Sequence, residues 1–252
     1  MKTAFITGAT SGIGMEFARA LASEGYSLIL TGRRTQRLLE LKEQLGVDCR
    51  IITADLAEED RCRALLDEVS DAKIDVFINN AGFGTVGSFL ETELEKELSM
   101  IRVNDIAMHI LLKGVLRKMQ AQGHGSILNV ASSAGLLPGG PYMAAYYASK
   151  AYVVSLTKAV ATELKELGSE VYVGCLCPGP VDTEFNANAD VVFSLKGISA
   201  SRCVAECLAG MKKRKTVIVP TLKMKLAVFS GRLVPERLLL KITGRQQRKK
   251  CA

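Results

Sequence analysis

The sequence predicts a doubly wound α/β domain, in which helices cover both faces of one parallel sheet of seven strands. Short apolar runs alternate with segments of helical periodicity along most of the chain. The apolar runs are nearly continuous rather than alternating with polar residues, which is typical of parallel strands buried on both faces. Because 48% of the 252 residues are hydrophobic and the connections are short, we expect one large core.

The strands and helices are predicted in alternation. Strands are expected at residues 3–6, 27–31, 49–53, 75–78, 126–131, 170–176 and 216–220. Helices are expected near residues 13–24, 35–45, 58–71, 94–121, 146–167 and 200–212. No linker or internal repeat precedes residue 212, so we assign a single domain to residues 1–220. Residues 221–252 are expected to form a C-terminal extension of two short helices, split by Gly231 and Pro235.

The C-terminal extension is strongly basic. Residues 212–252 contain 13 Lys or Arg and one acid, a net charge of +12, whereas the preceding 211 residues have a net charge of −5. In the second helix of the extension, apolar residues share one face and basic residues another, at Leu238, Leu239, Ile242, Arg237, Lys241 and Arg245. The apolar face would pack on the domain or a second subunit, or lie on an anionic membrane. Nucleic acid is disfavoured, because no aromatic platform or base-reading motif is present.

The sequence favours a cytoplasmic protein, with peripheral membrane contact through the extension as the open alternative. No run of 18 or more apolar residues is present, so no membrane-spanning helix is expected. The N-terminal residues MKTAFITG lead directly into the first strand and lack the features of a signal peptide. The seven cysteines form no disulfide pattern. They are expected to be buried thiols rather than metal ligands, and no metal site is predicted.

The stretch TGATSGIG, residues 7–14, lies between the first strand and the first helix. Gly8, Gly12 and Gly14 would permit a tight turn and a close approach of the backbone to a ligand. The N-terminus of the following helix offers free N–H groups and the positive end of a dipole, which suits a phosphate group. This location in an alternating α/β chain predicts a dinucleotide site.

The end of the second strand indicates which dinucleotide is expected. An acid at this point would bind the adenosine ribose 2′-hydroxyl group, but the sequence has Gly32, followed by Arg33 and Arg34. Guanidinium groups can hold a 2′-phosphate through paired hydrogen bonds, whereas a carboxylate would repel it. NADP(H) is therefore expected in preference to NAD(H). The alternative is that both arginines are simply solvated at the start of a helix.

Tyr146 and Lys150 stand four residues apart in a predicted helix and therefore share one face. A free phenol has a pKa of about 10, and a nearby ammonium group favours its ionised form. We expect Lys150 to lower the pKa of Tyr146, which would make Tyr146 an acid for ketone reduction or a base for alcohol oxidation. Taken alone, the pair is also compatible with a structural role.

Several motifs, in order, resemble those of the short-chain dehydrogenase/reductase family over residues 2 to about 220. They are TGATSGIG, the pair Asp55–Leu56, NNAG at 79–82, VNDIA with Asn104, VASSAG with the serines, YYASK with Tyr146 and Lys150, and PGPVDT at 178–183. The resemblance implies a Rossmann-type fold and hydride transfer between a nicotinamide cofactor and a carbonyl or alcohol group. It implies no metal.

The resemblance also implies roles for individual residues. Tyr146 would be the general acid–base, Lys150 would bind the nicotinamide ribose, and Asn104 would hold a water that links Lys150 to solvent. Ser133 would hydrogen-bond the substrate oxygen; it is chosen over Ser132 because the family places this serine 13 residues before the tyrosine. Besides Tyr146, Lys150 and the two arginines, cofactor contacts are implied for Gly8, Thr10, Ser11, Gly12, Ile13, Gly14, Asp55, Leu56, Asn80, Ala81, Gly82, Pro178, Gly179, Val181 and Thr183.

The substrate is the part that the sequence determines least. The extension loosely resembles those of hydroxysteroid and long-chain 3-oxoacyl reductases of the same family, which implies a hydrophobic ketone or secondary alcohol. Residues 184–199 fall where the family has its substrate loop, and their VVF segment indicates an apolar wall or a surface helix. Family members pair helices near 98–121 and 146–167 between subunits, which implies a homodimer or homotetramer. The alternative is an NADP-binding redox sensor or scaffold, which would not need the complete Asn–Ser–Tyr–Lys set.

Overall fold

The computed structural model describes residues 2–183 and 197–248. Within this part of the chain, the strands are β1 (Thr3–Thr7), β2 (Ser27–Gly32), β3 (Cys49–Thr53), β4 (Val76–Asn79), β5 (Ser126–Val130), β6 (Tyr172–Leu176), β7 (Val181–Asp182), β8 (Ile198–Ser199) and β9 (Val217–Ile218). Seven of them form one parallel sheet in the order β3–β2–β1–β4–β5–β6–β9. The predicted fold class is therefore confirmed. The two-residue strands β7 and β8 form a separate parallel pair that the apolar pattern did not predict.

The helices fill the connections between the strands. They are α1 (Gly12–Ser23), α2 (Thr35–Leu45), α3 (Glu59–Glu68), α4 (Leu94–Ile101), α5 (Met108–Gln122), α6 (Ala144–Glu166), α7 (Ala200–Lys212), α8 (Leu222–Gly231) and α9 (Glu236–Arg248). A 3₁₀ turn covers Ser133–Leu136. In the predicted loop at 184–199, residues 184–196 lie outside the described part of the chain, and Ile198–Ser199 form β8.

Two core layers lie on opposite faces of the sheet. Successive residues of a strand point to opposite faces, so Phe5 packs in one layer while Ala4 and Ile6 pack in the other. The ring of Phe5 stacks on Phe77 of the neighbouring strand β4, with ring centroids 4.8 Å apart. Because β1 lies between β2 and β4, the chain changes direction across the sheet there. Ligands of such folds bind in the crevice outside the carboxyl ends of the strands at this switch point.

A π-helical turn interrupts the long helix predicted at 94–121. Residues 94–122 are helical throughout, but Arg102–Ala107 have π-helical hydrogen bonding between α4 and α5. A π-helical turn departs from regular α-helical geometry, and such turns occur frequently at functional sites. Asn104, one of the predicted site residues, lies within this turn and is 1% exposed.

The cysteines in the described residues are buried free thiols. As predicted from alternation, Cys175 and Cys177 share a strand face, and their Sγ atoms are 3.8 Å apart. Burial raises the pKa of Cys203 to about 12 and holds the pKa of Cys207 well above its usual value. Thiols with such values stay protonated, which suits core packing.

The two predicted helices of the C-terminal extension are present as α8 and α9. They pack against the domain where its residues are small: a side chain at Gly179 would overlap Met224 of α8, and one at Gly139 would meet Leu240 of α9. Among the described residues, no helix is long and apolar enough to cross a bilayer.

Candidate active site

A cleft of about 1000 Å³ runs along the carboxyl ends of the strands, from the glycine turn to the C-terminal helices. Its lining includes every predicted site residue except Gly14 and Asn104, which lie directly behind it. The volume is at the upper end of the range for small-molecule sites. No group of three His, Cys, Asp or Glu within residues 2–183 and 197–248 is arranged to hold a metal ion.

The glycine turn presents backbone N–H groups to this cleft. Gly8 has a positive φ of 65°, and a Cβ at Gly14 would overlap the Gly8 carbonyl, so the turn can close onto α1 only with glycine at both positions. Ser11 is the N-cap residue of α1 and makes no side-chain capping bond, which leaves the first-turn N–H groups available to a ligand. Asn80 braces the turn, because its Nδ2 donates to the carbonyls of Thr7 and Gly8 at 2.9 and 3.1 Å. The turn therefore fits a dinucleotide phosphate.

Two arginines border the end of the cleft beside the second strand. Arg34 reaches back to the glycine turn, where its guanidinium donates to Thr10 Oγ1 at 3.2 Å and Thr10 O at 3.1 Å. Arg33 is exposed and lines the cleft. A Cβ at Gly32 would lie 2.8 Å from Thr10 Cγ2, so the Thr10 methyl group occupies the place of an acidic side chain. This end of the cleft is cationic rather than acidic.

The serine nearest the tyrosine hydroxyl is Ser132, and the choice of Ser133 is corrected here. Ser132 hydrogen-bonds the Tyr146 side chain, and Ser132 Oγ also accepts from the Ala134 N–H at 3.1 Å as the cap of the 3₁₀ turn. Ser133 lines the cleft as well, but it begins that turn, and its N–H donates to the Pro178 carbonyl at 2.8 Å. Ser132 stands 14 residues before Tyr146, whereas the family spacing of 13 residues leads to Ser133.

Tyr146 is buried beside Lys150 at the centre of the cleft. The Lys150 ammonium lies 5.9 Å from the centroid of the Tyr146 ring, and its Nζ donates to the Val130 carbonyl at 3.1 Å. Burial lowers the pKa of Lys150 to about 8, against the opposing effect of Asp105. Burial raises the pKa of Tyr146 to about 12, although the hydrogen bond from Ser132 lowers it. The expectation that Lys150 holds this pKa below its usual value is therefore wrong for this structure, because desolvation of the phenolate raises the pKa and Tyr147 and Cys177 add to the rise.

Asn104 fixes the floor of the cleft rather than facing into it. Its Nδ2 donates to the Phe83 carbonyl at 2.9 Å and to Ser149 Oγ at 3.1 Å, and its Oδ1 accepts from the Phe83 N–H at 3.0 Å. A Cβ at Gly82 would lie 2.8 Å from Asn104 Oδ1 and 3.3 Å from Lys150 Nζ. The π-helical turn thus ties the loop after β4 to the helix that carries Tyr146 and Lys150.

Asp105, the neighbour of Asn104 in the π-helical turn, was not predicted from the sequence as a site residue. Burial raises the pKa of its carboxyl group to about 6, while Lys150 lowers it. Within the described part of the chain, Asp105 Oδ1 is buried and has no hydrogen-bond partner. Its signal in the sequence is the single acid in the mostly apolar helical stretch VNDIAMHILL, which is unusual because isolated carboxylates are costly to bury.

The far wall of the cleft is apolar and comes partly from the C-terminal extension. Besides Leu137, Met143 and Tyr147 of the domain, the wall includes Met224, Ala227, Val228, Val234, Leu239 and Ile242 of the extension. The Tyr147 hydroxyl accepts from Gln247 Nε2 at 2.6 Å, and the Tyr142 hydroxyl accepts from Arg248 Nε at 2.8 Å. These bonds hold the end of α9 against the start of α6, which carries Tyr146.

The chain matches known proteins along most of its length. The short chain dehydrogenase family model matches residues 2–191. Dehydrogenase/reductase SDR family member 6 of Aquarana catesbeiana is 36% identical over 182 residues, which cover 72% of each chain. A short-chain dehydrogenase from Sphingobium yanoikuyae in complex with NADPH has a TM-score of 0.82 and 30% identity, and the match covers 92% of this chain and 94% of that one.

The solved structures include complexes with either nicotinamide cofactor. A short-chain dehydrogenase/reductase from Burkholderia phymatum in complex with NAD has a TM-score of 0.83 and 27% identity, over 90% of this chain and 92% of that one. The glycine turn, the fold and the residues around Tyr146 agree with this assignment. The chain therefore belongs to the short-chain dehydrogenase/reductase family of oxidoreductases.

Proposed function

We propose that this oxidoreductase transfers a hydride between NADP(H) and a bulky hydrophobic ketone or the corresponding secondary alcohol. The observation that carries the proposal is the contact of Ser132 with the Tyr146 hydroxyl beside Lys150. This group lines the same cleft as a dinucleotide-type glycine turn and an apolar wall. An acid placed there can protonate a carbonyl oxygen while the carbon is reduced.

In the reducing direction, Tyr146 acts as the acid. When bound, the nicotinamide supplies a hydride, with its electron pair, to the carbonyl carbon. The carbonyl π electrons move to the oxygen, and the Tyr146 hydroxyl donates its proton to that oxygen. With a pKa of about 12, Tyr146 is fully protonated at neutral pH and ready to donate. Ser132 stabilises the developing negative charge by a hydrogen bond, and the Lys150 ammonium stabilises the phenolate that remains.

Alcohol oxidation runs through the same atoms in reverse. The phenolate of Tyr146 then takes the hydroxyl proton as the hydride leaves the carbon. Because burial disfavours the phenolate, oxidation needs a higher pH than reduction. Asn104 is assigned the positioning of the loop after β4 and, through a water, the path from Lys150 to solvent.

The cationic end of the cleft supports NADP(H) over NAD(H). The N-terminus of α1 would bind the pyrophosphate, and Arg33 and Arg34 would hold the 2′-phosphate. A side chain at Gly32 would crowd the Thr10 methyl group, which disfavours the acid that would bind a free 2′-hydroxyl group. Family contacts carried over from the sequence are proposed for the remaining cofactor residues. Asp55 and Leu56 flank the adenine, residues 80–82 contact the cofactor from the end of β4, Pro178, Gly179 and Val181 lie beside the nicotinamide, and Thr183 contacts the carboxamide.

The apolar wall supports a substrate larger than a short aldehyde. Helices α8 and α9 contribute aliphatic side chains to the cleft lining, among them Val228, Leu239 and Ile242. Polar residues of the same helices, Ser230, Thr243, Gln246 and Gln247, also line it. Fully burying one aliphatic side chain against a ligand contributes about 1.5–3 kcal/mol, so an extended hydrophobic ketone gains more than a small one. Residues 221–252 are thus proposed to act with the catalytic domain of residues 1–220. A cytoplasmic location and a homodimer or homotetramer also remain proposals.

The proposal is tested by NADPH oxidation against a panel of carbonyl compounds. Bulky cyclic and long-chain ketones should be reduced with a higher kcat/KM than acetaldehyde or acetone, and NADH should support less turnover than NADPH. The absence of turnover with every ketone, in the presence of either cofactor, would reject the proposed reaction.

The contribution of the extension is tested by Ala227→Phe. Ala227 lines the cleft and is exposed, so added bulk narrows the wall without disturbing the core. The KM for a bulky ketone should rise, while the KM for a small aldehyde stays unchanged. Equal changes in the two KM values would show that the bulky ketone does not bind against this wall.

A further inference from the structure

Helix α8 has apolar residues on two opposite faces. Its inner residues Met224, Val228 and Gly231 line the cleft. Large apolar residues on its outer side are strongly exposed: Leu222 is 70%, Leu226 58%, Phe229 61% and, just beyond the helix, Leu233 74% exposed. These outer residues follow an i, i+4, i+7, i+11 spacing and therefore form one stripe along the helix. We call these four residues the outer stripe.

Basic residues border the outer stripe on both sides. In a helix, successive residues are rotated by about 100°. Lys223 follows Leu222, whereas Lys225 precedes Leu226, so the two lysines lie on opposite sides of the stripe. Arg232 lies on the same side as Lys225. All three are exposed. Long basic side chains beside an apolar stripe can bury their methylene groups with it while their charges remain in water.

The charge of the surrounding segment determines which occupant suits the outer stripe. Residues 212–252 have a net charge of +12, with Glu236 as the single acid. In a two-fold dimer through this face, the same basic residues would meet across the interface, and their repulsion opposes a second copy. Nucleic acid would satisfy the charges but would leave the apolar side chains against phosphate and sugar. An anionic lipid surface accepts both the apolar stripe and its basic borders.

We propose that the outer stripe of α8 docks this protein on an anionic lipid bilayer. The helix would lie in the plane of the interface, with its stripe among the upper acyl chains and its lysines at the lipid phosphates. Because the opposite face of α8 lines the cleft, docking brings the cleft within about one helix diameter, ~10 Å, of the lipid. Resting on the proposed reduction of hydrophobic ketones, this arrangement gives a lipid-dissolved substrate a short path to Tyr146.

This assignment differs from the one based on sequence, which considered the second helix of the extension. In the structure, Leu239 and Ile242 of α9 line the cleft, and Gln247 is buried against Tyr147. Packing on the domain thus accounts for part of the apolar face of α9, on which Leu238 and Ile242 are still 51% and 40% exposed. All four residues of the outer stripe of α8 are at least 58% exposed.

The test is flotation of the full chain with two kinds of vesicle: phosphatidylcholine alone, and phosphatidylcholine mixed with an equal amount of phosphatidylglycerol. The wild-type protein should float with the anionic vesicles and not with the neutral ones. Leu226→Ser with Phe229→Ser should weaken the partition coefficient at least about tenfold. Lys223→Gln with Lys225→Gln should weaken it about 25-fold, about fivefold for each charge.

A matched control variant combines Leu167→Ser with Lys165→Glu, which changes an exposed leucine and an exposed lysine at the end of α6. Flotation of this control should equal that of the wild type. The proposal is overturned if the wild type fails to float, if neutral vesicles bind it equally well, or if the stripe variants float as well as the control. It is also overturned if sedimentation shows a dimer that the stripe variants dissociate, or if duplex DNA displaces the vesicles from all variants alike.

Activity separates this proposal from the proposed reaction. The outer stripe does not line the cleft, so its variants should reduce a water-soluble ketone at the wild-type rate with NADPH. Retained activity without flotation would refute lipid docking alone, whereas flotation without any ketone reduction would refute the reaction alone.

Discussion

The exchange of Ser132 for alanine is the sharpest test of the site geometry. Ser132 contacts the Tyr146 side chain, and its hydrogen bond opposes the rise of the Tyr146 pKa to about 12. Alanine would remove a donor to the developing oxyanion and would leave Tyr146 a weaker acid. Removing one such donor from a buried site lowers kcat by about 10²–10³-fold, or about 3–4 kcal/mol of transition-state stabilisation. We therefore expect kcat for ketone reduction to fall at least about 100-fold, which is the lower end of this range.

Ser133→Ala is the matched comparison, because the two serines are adjacent and both line the cleft. The hydrogen bond of Ser133 to the Pro178 carbonyl uses its backbone N–H, which alanine keeps. The kcat of the Ser133→Ala variant should differ from that of the wild type by less than about threefold. Steady-state NADPH oxidation with a saturating ketone gives both values, and fluorescence titration with NADPH checks that the cofactor still binds. The reasoning is refuted if Ser133→Ala is the more damaging exchange, or if Ser132→Ala stays within about threefold of the wild type.

Three further predictions follow from the same geometry. The kcat for ketone reduction should decline as pH rises through about 8, because burial lowers the pKa of Lys150 to about 8 and the neutral amine no longer stabilises the phenolate. A kcat that stays constant from pH 6 to 10 would contradict this. Arg33→Ala should raise the KM for NADPH about tenfold or more and leave that for NADH unchanged, as measured by initial rates; equal changes would show that Arg33 does not contact the 2′-phosphate. Gly14→Ala should abolish NADPH binding in a fluorescence titration, because the added methyl group would overlap the Gly8 carbonyl; unchanged binding would contradict the proposed phosphate turn.

Much of the fold follows from the sequence because burial on both faces leaves a strong pattern. All seven strands of the sheet overlap the predicted apolar runs, and the two helices of the extension are separated at Gly231 and Pro235 as predicted. The π-helical turn around Asn104 could not be predicted, because one widened turn scarcely changes helical periodicity. The pair β7–β8 was missed since two-residue strands carry no pattern.

Site residues could be predicted from the sequence where backbone geometry requires a particular residue type. Gly8 and Gly14 are required by the turn, and Arg33 borders the cleft as expected. The serine was misassigned because spacing along a loop does not determine which hydroxyl group reaches Tyr146. The direction of the Tyr146 pKa shift was predicted wrongly because the spacing of Tyr146 and Lys150 can be read from a sequence, whereas the desolvation that raises this pKa depends on tertiary packing.

The outer stripe was overlooked for a related reason. A helix with apolar residues on two opposite faces has little overall amphipathicity, so α8 resembles an ordinary core helix in sequence. Only the contacts of Met224 and Val228 with the cleft show which face is inside, and hence that Leu226 and Phe229 face outward.

The central claim is that the Tyr146 hydroxyl delivers the proton during hydride transfer. It is tested most directly by single-turnover reduction of a ketone by the Tyr146→Phe variant preloaded with NADPH. Phenylalanine keeps the ring and its packing but has no proton to donate. The account predicts a rate lower by about 10²–10⁴-fold, with a Kd for NADPH close to that of the wild type. A single-turnover rate equal to that of the wild type would contradict it.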